Sequence, residues 1–299
     1  MRILLTGKDG QVGWELQRSL SCLGELGAFA RTELDLSKPE EIRRRIEQVR
    51  PDVIVNAAAY TAVDKAESEP QAALAVNGVA PGILAEEARR RGVLLVHYST
   101  DYVFDGSGSR PYTEDDTPSP INTYGQSKLA GERAIRASGA QHLILRTSWV
   151  YGLRGRNFLL TMRRLCRERE VLRVVDDQVG APTWSRSIAD ATAQLLALIL
   201  LSGSERLSAA AVSGTYHLTA AGKTSWCGFT RAIVAAEFAG STKTPPQVAP
   251  ISTADYPLPA QRPRNSVLSC DRLRATFGIA LPNWDAALAY CMQDQPGGQ

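Results

Sequence analysis

Short apolar runs alternate with amphipathic segments through the first half of the chain, and this alternation restricts the fold more than any other feature. Strands are predicted at residues 2–6, 26–30, 53–56, 94–99 and 142–147, and helices between them at 12–23, 39–49, 71–91 and 123–137. Strands that alternate with helices along a chain form βαβ units. The predicted fold class is therefore α/β, with a doubly wound parallel sheet.

The alternation loosens after about residue 150. Helices are still predicted at 157–170 and 187–202, but a polar stretch marked by Gly and Pro separates them at 176–185. We therefore predict two parts: a doubly wound domain at 1–150, and a smaller C-terminal lobe formed mainly by 151–299. Whether segments of the second part return to the first sheet stays open. Residues 295–299 are expected to fray.

Charge and composition exclude several function classes. The 299 residues carry a net charge of only +3, which argues against broad nucleic-acid binding. The 5 cysteines and 3 histidines are scattered and form no metal-ligand pattern, so reduced thiols and no metal site are predicted. The longest apolar stretch, 195–201, is much shorter than the roughly 20 residues that span a bilayer, and no targeting segment is visible. We expect a cytoplasmic protein that binds neither nucleic acid nor membrane.

Three glycines follow the first predicted strand with the spacing G-x-x-G-x-x-G. Gly7, Gly10 and Gly13, with Gln11 and Val12 between them, also open the first predicted helix. This context is what a dinucleotide-binding fingerprint requires, since the glycines let the backbone approach a pyrophosphate at the helix N-terminus. The alternative is a plain strand-to-helix turn. The motif predicts a dinucleotide-binding (Rossmann) domain.

The end of the second predicted strand bears on the choice of cofactor. NAD-binding folds usually carry an acidic residue there for the ribose 2′-hydroxyl, whereas an arginine accommodates a 2′-phosphate. No acid is found at this strand end, and Arg31 follows it directly. The prediction is NADPH, with NADH as the alternative, and Asp35 and Leu36 are expected at the adenine edge. The competing interpretation of Arg31 is a solvated surface arginine.

The sharpest chemical signal is a tyrosine four residues before a lysine. Tyr124 and Lys128 share a face of a predicted helix, so the ammonium is expected near the phenol, where it would lower the tyrosine pKa. Such a tyrosine can act as an acid near neutral pH. Thr100 ends a buried strand, where its hydroxyl can reach a substrate oxygen in the same cleft.

These motifs carry a family resemblance that runs from residue 1 to about 285. The glycine loop, Asn56-Ala-Ala-Ala, the string that begins at Ser99-Thr-Asp-Tyr and Tyr124-x-x-x-Lys resemble extended short-chain dehydrogenases. The longer strings, such as those from Arg146, Asp177 and Arg262, resemble the dTDP-4-dehydrorhamnose reductases. The resemblance implies reduction of the 4-keto group of dTDP-6-deoxy-L-lyxo-4-hexulose to give dTDP-L-rhamnose. Two alternatives stay open: reduction of another dTDP-4-keto-6-deoxyhexose, and a non-catalytic NADP-binding regulatory subunit.

The resemblance also assigns roles to individual residues. It implies a catalytic triad of Thr100, Tyr124 and Lys128, and it places Asp101, Trp149, Arg262 and Asn265 at the dTDP-sugar. To the cofactor it assigns Gly10, Gln11, Val12, Ala59, Tyr60, Thr61, Tyr98, Tyr124 and Lys128.

The resemblance leaves the oligomeric state open. Some relatives form a dimer around Mg²⁺ held by glutamates. Glu15 is kept, but Arg186 stands where a second glutamate is expected. We therefore predict no bound metal, and either a monomer or a homodimer.

Overall fold

Six parallel strands form the central sheet of the computed structural model, which describes residues 1–294. The predicted frayed tail at 295–299 lies outside the described residues. The strands of the central sheet and of the smaller two-stranded pairs are, in chain order, β1 (Arg2–Thr6), β2 (Glu25–Phe29), β3 (Val53–Asn56), β4 (Leu94–Thr100), β5 (His142–Thr147), β6 (Val150–Tyr151), β7 (Val171–Val175), β8 (Val179–Gly180), β9 (Thr183–Trp184), β10 (Gly214–His217), β11 (Thr224–Ser225) and β12 (Gln247–Ile251).

The spatial order of the central sheet is β10-β5-β4-β3-β1-β2, and all its pairings are parallel. Every residue of β3, β4 and β5 is buried, as expected for strands covered by helices on both faces. This architecture confirms the predicted doubly wound α/β (Rossmann) fold.

Helices cover both faces of the sheet. They are α1 (Gln11–Ser19), α2 (Pro39–Val49), α3 (Val63–Ala66), α4 (Pro70–Leu74), α5 (Ala80–Arg91), α6 (Thr123–Ser138), α7 (Phe158–Glu168), α8 (Ser185–Leu201), α9 (Trp226–Glu237), α10 (Asp271–Phe277) and α11 (Trp284–Gln293). Short 3₁₀ turns lie at Asp101–Val103, Glu205–Leu207 and Thr253–Asp255. No helix within residues 1–294 has the length and apolar character needed to cross a membrane.

The helix predicted over 71–91 is confirmed, but it is not α-helical throughout. A π-helical turn, Ala75–Val79, separates α4 from α5. A π-turn takes one extra residue, and such turns often mark functional sites. Here it carries Asn77, which is 1% exposed and whose side chain bonds both the backbone of Tyr60 and the hydroxyl of Ser127. These tertiary hydrogen bonds, which helical periodicity does not reveal, accompany the change of helix type.

Within residues 1–294 the apolar core consists of three large clusters and a small one around Phe104. One large cluster lies between the sheet and α1, α8 and α10, and a second lies between the other face of the sheet and α2 and α5. The third joins α7, β7, α9 and α11 and is the core of the C-terminal lobe. Three segments from beyond residue 150 thus belong to the first part, because β10 extends the central sheet and both α8 and α10 pack in the cluster on its face.

Candidate active site

The glycine loop packs tightly against the end of β3. Gly7 has a φ of +73°, and a Cβ atom on it would lie 2.7 Å from Cα of Ala58. A Cβ atom on Gly13 would lie 2.0 Å from the Gly7 carbonyl oxygen. Helix α1 begins after Gly10 with no side-chain cap and no acidic residue in its first turn. This positive helix end therefore fits the pyrophosphate of a dinucleotide.

Two side chains of the glycine loop contact other residues of the protein. Gln11 donates to the carbonyl of Val150 at 3.4 Å and accepts from the Asn157 amide at 2.8 Å. Val12 packs against the first apolar cluster. These contacts tie the loop to the segment that leads into the C-terminal lobe. At Gln11 and Val12 the groups left for a cofactor are therefore those of the backbone.

The predicted absence of an acid at the end of β2 was wrong. Glu33 folds back in a turn, accepts the Ala30 N–H at 2.7 Å and pairs with the Lys8 ammonium at 2.6 Å. Its distance along the sequence from the strand end concealed this position. Arg31 is exposed. The pKa of the nearby Asp35 carboxyl is lowered: burial opposes this, but two hydrogen bonds from Ser37 and the charge of Arg31 together outweigh burial. The segment after β2 thus carries Arg31, and Glu33 paired with the loop residue Lys8.

Asp35 and Leu36, the residues expected at the adenine edge, are largely occupied by the chain itself. Leu36 is 5% exposed and belongs to the second apolar cluster. One carboxylate oxygen of Asp35 accepts both the N–H and the hydroxyl of Ser37. An adenine contact by these residues remains a prediction.

Thr100, Asp101 and Tyr124 come together where β4 ends. The Thr100 hydroxyl donates to Asp101 Oδ1 at 3.0 Å and lies near enough to the Tyr124 phenol to lower its pKa. Asp101 Oδ2 is buried and has no hydrogen-bond partner among residues 1–294. Burial raises the pKa of Asp101 to about 7. A buried, unpartnered carboxylate oxygen beside a phenol and a hydroxyl indicates a place for a polar ligand.

The predicted effect of Lys128 on Tyr124 is not what the structure shows. Burial raises the pKa of Tyr124 to about 12, and the Thr100 hydroxyl lowers it only in part. The Lys128 ammonium instead donates to the Tyr98 carbonyl at 2.6 Å and lies 3.3 Å from His97 Nε2. Burial also lowers the pKa of Lys128 to about 8. The two groups share a helix face, but backbone and histidine hold the lysine.

Ala59, Tyr60 and Thr61 lie on the loop after β3, at the same sheet edge. Ala59 and Tyr60 are half-buried and Thr61 is exposed. Asn77 holds this loop: its Oδ1 accepts the Tyr60 N–H at 2.8 Å, and its Nδ2 donates to the Tyr60 carbonyl at 2.9 Å. The same Nδ2 bonds Ser127, the neighbour of Lys128 on α6. Asn77 thus links the predicted cofactor loop to α6, the helix that carries Tyr124 and Lys128, and sequence reasoning missed this link.

Tyr98 presents its carbonyl, and not its phenol, to Lys128. Its side chain points to the opposite face of the sheet, where the hydroxyl lies 2.7 Å from that of Thr192 on α8. Side chains alternate between faces along a strand, so His97, the neighbouring residue, faces the lysine instead. The available signal was His97 itself, a polar residue that directly follows the apolar run at 94–96 within the same buried strand.

Trp149 lies between the sheet and the C-terminal lobe in a strained conformation. Its φ is +47°, its ring stacks on Trp226 with centroids 3.5 Å apart, and its Nε1 donates to Ser266 at 3.1 Å. A non-glycine residue with positive φ persists only where its surroundings hold it, and such residues cluster at ligand sites. The geometry agrees with the placement of Trp149 at the sugar.

Arg262 and Asn265 are bonded to protein groups. The Arg262 guanidinium donates to both oxygens of Asp64, at 3.0 and 2.7 Å. The Asn265 amide donates to the carbonyls of Gly108 and Arg110. The structure therefore gives both residues a role in holding loops together, and a diphosphate would have to take Arg262 from Asp64.

The region around Glu15 contains a cation of the protein itself. Arg186 Nε lies 3.9 Å from Glu15, and the same guanidinium pairs with Asp294. Within the part of the chain that the structure describes, no group of three or more His, Cys, Asp or Glu side chains could hold a metal ion.

Comparison with known proteins identifies the family. The family model described as the RmlD substrate binding domain matches residues 1–296. This chain belongs to that family. Among the relatives of this RmlD chain is the dTDP-4-dehydrorhamnose reductase of Burkholderia thailandensis, 54% identical over 98% of this chain and 99% of the relative. That of Escherichia coli K12 is 45% identical over 98% of each chain.

Solved structures of family members resemble this chain as well. It is similar to the dTDP-4-dehydrorhamnose reductase of Bacillus anthracis in complex with NADP, with a TM-score of 0.88 and 33% identity. The match covers 98% of this chain and 99% of that one. The expected family and the doubly wound fold are both confirmed.

Proposed function

We propose that the chain is an NAD(P)H-dependent reductase that converts the 4-keto group of dTDP-6-deoxy-L-lyxo-4-hexulose into the hydroxyl of dTDP-L-rhamnose. The observation that carries the proposal is the placement of the Tyr124 phenol, one helical turn from the buried Lys128, beside Thr100 and beside an Asp101 Oδ2 that has no hydrogen-bond partner within residues 1–294. These groups stand at the sheet edge that also holds the glycine loop. The relatives named dTDP-4-dehydrorhamnose reductase support the choice of substrate.

The cofactor, when bound, supplies a hydride to the keto carbon. On the protein side, Tyr124 donates its phenolic proton to the carbonyl oxygen as negative charge develops there, which is general-acid catalysis. Thr100 donates a hydrogen bond to the same oxygen and polarises the carbonyl before transfer. The Lys128 ammonium, held by the Tyr98 carbonyl and His97, binds the nicotinamide ribose. Burial of Tyr124 keeps its phenol protonated, so that it carries the proton to be given.

The substrate-recognition roles follow from the two parts of the molecule. Residues 1–150 bind the dinucleotide, and 151–299 form mainly the substrate-binding lobe, with α8, α10 and β10 on the first part. Asp101 and Trp149 contact the sugar, and Arg262 contacts the diphosphate once it leaves Asp64. NADPH is the preferred donor. The protein works in the cytoplasm as a monomer or a homodimer.

Product analysis tests this proposal. The purified chain is incubated with the dTDP-4-keto-sugar and NADPH, the loss of NADPH absorbance is followed, and the product is identified by NMR. dTDP-L-rhamnose formed with equimolar NADPH consumption is the expected result. A different dTDP-6-deoxyhexose would change the assigned substrate, and NADPH binding without turnover would favour the regulatory role.

A further inference from the structure

A row of polar side chains crosses three strand ends beneath the cofactor-binding edge. Thr6, Asn56 and His97 occupy matching register positions on β1, β3 and β4. The Thr6 hydroxyl lies 2.6 Å from Asn56 Oδ1, and Asn56 Nδ2 lies 3.0 Å from His97 Nδ1. His97 Nε2 then lies 3.3 Å from the Lys128 ammonium. Four side chains thus form one hydrogen-bonded row, which we call the Thr6–Lys128 row.

The preceding row on the same face shows what such positions ordinarily hold. It consists of Leu4, Ile54 and Leu95, each 0% exposed and part of the second apolar cluster. The Thr6–Lys128 row is equally inaccessible, since His97 is 0% exposed and Asn56 is 1% exposed. Burying polar groups is unfavourable unless each one finds a partner. Here the row ends on a buried lysine, the group whose burial would be most unfavourable without acceptors.

The direction of the hydrogen bonds links the charge of Lys128 to the orientation of Asn56. An ammonium only donates, so a charged Lys128 requires His97 Nε2 to accept and His97 Nδ1 to carry the proton. That proton needs the amide oxygen of Asn56 as its acceptor. With the amide nitrogen facing His97 instead, Nε2 carries the proton, and only an uncharged amine could accept it. In the structure the Asn56 amide nitrogen faces His97, the arrangement that suits an uncharged amine. A half-turn of the amide exchanges its nitrogen and oxygen without repacking, and a charged Lys128 requires that exchanged orientation.

We infer that His97 is a positioning residue for Lys128: it accepts the lysine ammonium and, through Asn56 and Thr6, fixes it to the strand that precedes Gly7. The inference rests on the catalytic role proposed above for Lys128. The Tyr98 carbonyl is the second acceptor, at 2.6 Å. Together these two acceptors direct the ammonium and maintain its charge in a site closed to water.

Other titratable groups in this region come from several elements. Tyr124 and Glu132 flank Lys128 on α6, and Glu132 raises the lysine pKa, although burial lowers it more strongly. Arg146 on β5 pairs with Glu132 at 2.7 Å. Asp101 directly follows β4, and its charge raises the pKa of Tyr124. Burial and the charge of Lys128 hold the pKa of His97 well below its ordinary value, so His97 remains neutral throughout the titration of the lysine.

Direct titration of Lys128 is the primary test. The full-length protein is labelled with isotope-enriched lysine, the Lys128 signal is assigned with Lys128→Met, and its pH midpoint is followed by NMR. In His97→Leu the midpoint should fall by on the order of one pH unit, because a hydrogen bond to a charged group is lost. His97→Gln, whose amide oxygen can accept from the ammonium, should restore most of the midpoint. The alkaline limb of kcat against pH should move with it.

His142→Gln is the matched control. His142 is a buried histidine on the neighbouring strand β5, and its ring bonds the Ala140 carbonyl at 2.8 Å. This variant should leave the Lys128 midpoint unchanged. Thr6→Val, which keeps the shape of the side chain at the far end of the row, should lower the midpoint in the same direction by less, and it serves if His97→Leu does not fold.

The outcomes separate this inference from the proposed function. An unchanged Lys128 midpoint in folded His97→Leu or Thr6→Val would overturn it, as would an equal fall in His142→Gln. The NMR titration needs no turnover. A protein that fails to reduce the keto-sugar while its lysine midpoint still falls in His97→Leu would refute the reaction and leave the positioning role standing.

Discussion

The sheet edge and the lobe side of the candidate site use their polar residues differently. At the sheet edge, Thr100, Tyr124 and Asp101 meet one another, and one Asp101 carboxylate oxygen has no hydrogen-bond partner in the described part of the chain. On the lobe side, Arg262 is bonded to Asp64, and Asn265 is bonded to two carbonyls. The sheet edge is thus arranged for chemistry as it stands. The lobe side is held closed by contacts within the chain, which a substrate would have to exchange.

This difference has a physical origin in how the two regions are built. The ends of parallel strands meet at one edge whenever the sheet forms, so residues that follow each strand are brought together by register alone. No sheet register brings the loop residues of the lobe to one place. Their side chains find hydrogen-bond partners wherever the folded chain offers them, because buried polar groups are unfavourable without partners.

Removal of the Tyr124 hydroxyl should have the largest effect. Tyr124→Phe keeps the ring but removes the general acid, so kcat should fall by on the order of 10²–10⁴-fold while NADPH binding changes little. Steady-state kinetics and fluorescence titration measure the two quantities. The control is Tyr216→Phe, which removes a buried hydroxyl that donates to the Val212 carbonyl far from the site. Turnover of Tyr124→Phe within about threefold of the unaltered protein would refute the mechanism.

Most of the sheet could be predicted because its strands are continuous apolar runs. Residues 2–6, 53–56 and 142–147 were predicted with the bounds that the structure shows. The sequence did not reveal local changes of backbone geometry that depend on tertiary contacts. The π-turn around Asn77 depends on Tyr60 and Ser127, which no local pattern connects to it.

The second largest effect tests whether Arg262 leaves Asp64 for the diphosphate. In that case Arg262→Ala should raise KM for the dTDP-sugar roughly 10- to 100-fold, as expected when a hydrogen bond to a charged group is lost. Asp64→Asn frees the arginine, so KM should stay the same or fall. If the pair serves only to hold the loops together, both variants should impair the enzyme alike. KM measured for the two variants side by side decides between these roles.

The cofactor end of the site was only half predictable from the sequence. Arg31 is adjacent to β2 and was found by position, whereas Glu33 reaches the strand end through a turn. The turn is closed by bonds from the N–H groups of Glu33 and Leu34 to the Ala30 carbonyl. Sequence spacing alone does not show which way such a turn directs a side chain.

A smaller effect should separate the charges around the 2′ position. Arg31→Ala should raise KM for NADPH by roughly 2- to 5-fold, the scale of an exposed ion pair, and leave KM for NADH nearly unchanged. Glu33→Gln should act in the opposite direction, since it removes a negative charge and frees the Lys8 ammonium for the phosphate. Equal changes for both cofactors in Arg31→Ala would show that this side chain does not contact the 2′-phosphate.

The smallest expected effect is that of metal removal. Arg186 lies 3.9 Å from Glu15 and pairs with Asp294, so a cationic side chain occupies the surroundings that a divalent ion would need. Rates with EDTA and with added Mg²⁺ should therefore agree. Arg186→Glu is the informative comparison, because it replaces the cation by a carboxylate beside Glu15 and should make the oligomeric state respond to Mg²⁺. A large loss of activity on chelation in the unaltered protein would contradict this account. A divalent cation at Glu15 would lie close to the Arg186 guanidinium, and the two positive charges repel each other.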